Sequence, residues 1–69
     1  MKLKDPIGVR TQIMEKYGWM TVEIIATRLN LAANTASRAL RGEPVRHKTI
    51  QTIAKALEVS ASDIAEFVN

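Results

Sequence analysis

Residues 20–42 read MTVEIIATRLNLAANTASRALRG, and the spacing of small and polar residues in this stretch decides the fold. Thr21 is a helix N-cap residue by type. Ile24, Ile25, Ala26 and Leu29 follow at buried-face spacing, which predicts a helix over about 22 to 29. Asn30 tolerates positive φ better than other non-glycine residues, so the chain can turn sharply there before Leu31. The alanines that follow favour a further helix over about 33 to 41, and Gly42 with Pro44 stops it.

Only Asn30 to Ala32 separate these two helices, so they must cross steeply rather than lie antiparallel, which is the helix-turn-helix arrangement. Ala26 and Ala36 stand where the helices approach, and small side chains let the backbones come close. Ile25, Leu29, Leu31, Ala39 and Leu40 can close the apolar side. With those residues inward, Asn34, Arg38 and Arg41, spaced by four and three, share an outward face with Ala33 and Ser37.

Working outward, Asp5-Pro6 opens a helix over about 6 to 17, with an N-cap acceptor followed by proline where its missing N–H costs nothing. Ile7, Val9, Ile13, Met14 and Tyr17 fall near helical spacing, and Gly18 supplies the ending residue. Trp19 and Met20 are expected to be core or turn-covering residues, or an exposed apolar pair if Tyr17 takes the core place. Lys48 or Thr49 opens a fourth helix striped by Ile50, Ile53, Ala54 and Leu57, while GEPVRHK before it reads as an exposed loop containing His47. Val59 leads into Ser60-Ala61-Ser62-Asp63, which resembles a capping box with Asp in place of Glu. The last helix is expected over about 61 to 68, burying Ile64 and Phe67 or Val68. No strand alternation, internal repeat or low-complexity segment appears. The expectation is an all-α single domain of five short helices spanning residues 1–69.

Composition sets the same bounds. Sixty-nine residues, 46% of them hydrophobic, suffice for one small aliphatic core, with Tyr17, Trp19 and Phe67 the only aromatics. The absence of cysteine removes disulfides and thiolate metal sites, and His47 is the only histidine, so no metal or cofactor is expected. With no secretory or membrane-spanning run, the expected location is the cytoplasm. Net charge is +3. Its placement is more informative: Arg28, Arg38, Arg41, Arg46 and Lys48 stand against Glu43 alone, while the rest of the chain is slightly acidic. A contiguous basic segment of this kind suits a polyanion.

The outward face suits duplex DNA. Arginine donates bidentately to guanine, asparagine pairs with adenine, and an alanine methyl packs on a thymine methyl. Base reading is assigned to Ala33, Asn34 and Arg38. Thr21, Thr35 and Ser37 are placed to bond phosphates or fix register. Arg41, Arg46, His47 and Lys48 add phosphate contacts that make affinity salt-dependent.

These residues resemble the Cro and phage-repressor type of helix-turn-helix regulators. The resemblance runs over about residues 5 to 68, carried by MTVEIIATRLNLAANTASRALRG and by TIQTIAKALEVSASDIAEF. It implies a lambda-repressor-like five-helix DNA-binding domain, with Ala33, Asn34 and Arg38 at base-reading positions and Thr21, Thr35 and the loop from Arg46 to Lys48 near phosphates. NTASRALRG is also similar to the lac-repressor family's recognition helix, without that family's hinge and sugar-binding domain. The chain departs from the pattern at Val22, where glutamine is common, at Asn30 for glycine, and at Ala32 for a capping serine or threonine. Met14 or Glu15 stands where helix one often carries arginine, and the linker Gly18-Trp19-Met20 looks one residue longer.

The function expected is a sequence-specific double-stranded-DNA-binding transcription regulator, a phage or prophage repressor acting as a homodimer on a palindromic operator, with no membrane or small-molecule ligand. The rival class is a protein-interaction module, antitoxin-like or a phage accessory factor, for which DNA contact is secondary. An enzyme is not expected, for lack of a nucleophile–base pair, paired acids or a phosphate loop.

Overall fold

Asp5 begins the first helix as its sequence requires: Oδ1 accepts the Gly8 amide at 3.1 Å, and Pro6 occupies the first turn. The computed structural model describes residues 1–68 and orders them as β1 (Lys2–Leu3), α1 (Pro6–Tyr17), α2 (Val22–Arg28), α3 (Ala33–Leu40), α4 (His47–Ala56), α5 (Ala61–Ile64) and β2 (Ala65–Glu66). The architecture is the all-α, five-helix one read from the sequence, with a minimal two-stranded sheet added.

One apolar cluster draws on every element. Leu3, Val9, Ile13, Ile25, Ala39, Leu40, Ile50, Ile53, Ala54, Ile64 and Ala65 are buried together with Met20 from the α1–α2 linker. Ile13, Ile25, Ile50 and Ile53 are its largest fully buried side chains, so the core is aliphatic. Burial of each such side chain is worth roughly 1.5–3 kcal/mol. Among the described residues, no helix is long and apolar enough to cross a membrane.

Three of the helices end in the same way. Asn30, Gly42 and Glu58 have φ of 56°, 81° and 59° and follow the last turns of α2, α3 and α4. In each case the next amide reaches back five residues: Leu31 to the Ala26 carbonyl at 2.8 Å, Glu43 to Arg38 at 3.0 Å, and Val59 to Ala54 at 3.0 Å. These are Schellman endings, which satisfy carbonyls left open at a helix C-terminus. Asn30 and Gly42 are residue types suited to positive φ; Glu58 is not, and its turn was not legible beforehand.

The two chain ends depart from the expected pattern. The last helix stops at Ile64 rather than continuing to about 68, because Ala65–Glu66 pairs antiparallel with Lys2–Leu3, Leu3 opposite Ala65 and Lys2 opposite Glu66. Leu3 and Ala65 face the core, whereas Lys2 and Glu66 face solvent 3.9 Å apart. The Lys4 amide and ammonium add bonds to the Ile64 and Ser62 carbonyls, at 2.9 and 3.0 Å. Backbone groups that a longer helix would have used internally are thus satisfied by the other end of the chain. Phe67 and Val68, one of which was expected in the core, are exposed. The Ser60–Asp63 capping box does form, the Ser60 amide donating to Asp63 Oδ2 at 3.1 Å.

Apolar stripes predicted some faces too generously. Ile7 is 80% exposed and Ile24 48% exposed. Tyr17 also stays at the surface, its hydroxyl donating to the Ala56 carbonyl at 2.8 Å, where Lys16 Nζ donates at 2.9 Å. Met20 takes the core place and Trp19 stands out in solvent, so the two do not form an exposed pair.

Candidate nucleic-acid interface

The interface is built on the α2–α3 crossing. Thr21 caps α2, its hydroxyl accepting the Ile24 amide at 3.4 Å. The Asn30 turn then reverses the chain, and Ala26 and Ala36 are both almost fully buried, as the crossing requires. Any larger side chain at either position would push the helices apart.

Burial of Ala36, Ala39 and Leu40 fixes which side of α3 is free. Ala33, Asn34, Arg38 and Arg41 are exposed, and Thr35 and Ser37 half-buried. Helical spacing therefore produces the expected outward face, although α3 ends at Leu40 and Arg41 is its C-cap residue. Both guanidinium groups lie against Glu43. Arg41 Nε is 2.8 Å from its Oε2, and Arg38 Nε is 3.8 Å from its Oε1. These pairs are largely solvent-exposed and contribute little to stability.

Beyond Gly42 the chain runs through Pro44 and Val45 into α4, which starts at His47 rather than at Lys48 or Thr49. His47 is therefore the first helical residue and not a loop residue. Its ring meets that of Phe67 edge to face, with centroids 6.2 Å apart. Arg46 is the N-cap residue of α4, and Arg46, His47 and Lys48 are all exposed.

An open groove of about 890 Å³ lies between the start of α3 and the start of α4. It brings together Thr35, Arg38, Arg46 and Lys48 of the residues singled out from sequence, and adds Asn30, Thr49 and Thr52. Ala33, Asn34, Ser37, Arg41, His47 and Thr21 do not line it. Neither Ala32 before α3 nor Arg46 before α4 provides a side-chain cap, so first-turn amides of both helices are open to water or an anion. Among the described residues, no group of three histidine or acidic side chains could hold a metal ion.

Thr52 and Glu43 were missed in the sequence. Thr52 could have been placed one helical turn after Lys48, whose carbonyl accepts its hydroxyl at 3.0 Å. Glu43 could have been placed by Gly42, since the residue after a positive-φ helix end folds back on the last turn.

A comparison with protein families matches residues 11–69 to the family described as the Cro/C1-type HTH DNA-binding domain. No curated protein and no solved structure matches the chain. The match spans the α2–α3 unit and the groove beside it, as well as the closing helices. The chain belongs to the Cro/C1-type helix-turn-helix DNA-binding family.

Proposed function

We propose that residues 1–69 act as one unit, a cytoplasmic repressor that binds a palindromic double-stranded operator as a homodimer. In this reading α3 enters the major groove, with Ala33, Asn34 and Arg38 reading base edges. Thr21, Thr35, Ser37, Arg41, Arg46, His47 and Lys48 meet the phosphates on either side.

The observation that carries the reading is the two-sidedness of α3. One side is fully buried against the core, and the other presents asparagine and arginine beside a groove edged by Arg46 and Lys48. Small residues at the start of that outward side, Ala32 and Ala33, leave room for close approach to the floor of a DNA groove.

Dimerisation follows from affinity. One recognition helix touches only a few base pairs, too few for useful discrimination, whereas two copies on half-sites about one helical turn apart (~34 Å) reach the usual range. Repression then follows from occupancy of a promoter.

The deciding experiment is selection of bound duplexes from a random pool, read by sequencing. The expected result is a palindromic consensus with half-sites separated by about 10 base pairs. A non-palindromic consensus would remove the dimer from the proposal. No enrichment and no binding at low salt would remove DNA reading by α3 altogether.

A further inference from the structure

We propose that Glu43 is a specificity-determining residue, a built-in competitor that disfavours a phosphate at Arg38 while leaving Arg38 able to read a guanine. The inference rests on the DNA-reading face proposed above.

Glu43 is the only acidic residue between Arg28 and Lys48. Its position is set by the backbone: Gly42 takes φ 81°, and the Glu43 amide closes on the Arg38 carbonyl at 3.0 Å. The side chain is thereby turned back over the end of α3, where one carboxylate meets both arginines of the outward face.

Which arginine atoms are engaged matters. Both contacts are made through Nε, at 2.8 Å for Arg41 and 3.8 Å for Arg38. Nε is the inner edge of the guanidinium fork, which leaves the terminal Nη donors of Arg38 outside this contact with Glu43. A guanine presents O6 and N7 as two acceptors side by side, which those terminal donors can meet without displacing the carboxylate.

A phosphate fares differently. It offers the same charge as Glu43, and it must approach a face where that charge is already supplied and where a second anion is repelled. Non-specific binding consists almost wholly of such phosphate contacts. The carboxylate therefore weakens binding to any sequence, and a guanine at the right position recovers the loss. Because these ion pairs are exposed and weak, the effect is a bias of several-fold rather than a block.

The test compares the full chain with Glu43→Gln by fluorescence anisotropy on two duplexes of about 20 base pairs, one carrying the selected consensus and one a scramble of equal composition, at salt between about 50 and 200 mM. Glu43→Gln is expected to bind the scramble about three- to tenfold more tightly and the consensus by less than about twofold, with the scramble's salt slope steeper by about one. Glu43→Ala should do the same, and thermal unfolding of both variants checks that α3 is intact. Equal tightening on both duplexes, or no change on either, overturns the role of Glu43 while leaving DNA reading by α3 in place. If the unaltered chain fails to prefer its consensus, both proposals fall together.

Discussion

The Leu31 amide donates to the Ala26 carbonyl at 2.8 Å across Asn30, whose φ is 56°. This bond sets the angle at which α3 leaves α2. A β-carbon makes the left-handed region costly, by roughly 1–2 kcal/mol, for residues other than glycine and, to a lesser degree, asparagine. Asn30→Ala should therefore lower stability by about 1 kcal/mol, and Asn30→Gly should leave it nearly unchanged. Urea unfolding followed by circular dichroism measures both, and equal loss in the two variants would show that the asparagine side chain matters rather than its backbone.

Ala36 is 1% exposed and lies on α3, which packs against α2. Ala36→Leu adds three carbons where interior packing leaves no room for them, with an expected loss of about 1–3 kcal/mol. The helices must separate to accept it, so DNA affinity should fall even under conditions where the variant stays folded. A variant of unchanged stability would mean that the helices do not approach as closely as drawn.

The parts of this fold that were legible in the sequence are those set by neighbouring residues. Asn30, the alanines and Gly42 act within a turn or two of themselves, so α2, α3 and the outward face of α3 are legible in the sequence. The sheet could not. Leu3 finds Ala65 at the opposite end of the chain, and nothing local in ASDIAEFV says that its helix will stop at Ile64. Ile7 and Ile24 were misplaced for a related reason: an apolar residue near a helical stripe is buried only if another element covers it, and among the described residues none covers these. The pairing of Glu43 with two arginines lies between these cases, because it depends on a local turn whose side-chain consequence reaches back five residues.

Tyr17 offers a contrast between stability and binding. Its hydroxyl donates to the Ala56 carbonyl at 2.8 Å, tying the end of α1 to the end of α4. Tyr17→Phe removes that bond and keeps the ring. The expected loss is about 0.5–1.5 kcal/mol of stability, at the low end because Lys16 Nζ donates to the same carbonyl. DNA affinity below the unfolding transition should be unchanged, since Tyr17 lies outside the proposed interface; a parallel loss of binding would contradict its placement.

Arg38 and Lys48 both line the groove between α3 and α4, yet they are assigned different tasks, and salt separates them. Arg38→Ala should weaken binding to the consensus by about 1–3 kcal/mol and relax the preference at one base position. Lys48→Ala should weaken consensus and scrambled duplexes alike and lower the salt slope by about one, because a lysine on a phosphate contributes counterion release without sequence information. Anisotropy titrations at several salt concentrations, on duplexes mutated one position at a time, measure both effects. If Arg38→Ala behaves like Lys48→Ala, with uniform loss and no relaxed position, then Arg38 meets phosphate instead of a base, and base reading has to rest on Ala33 and Asn34 at the other end of α3.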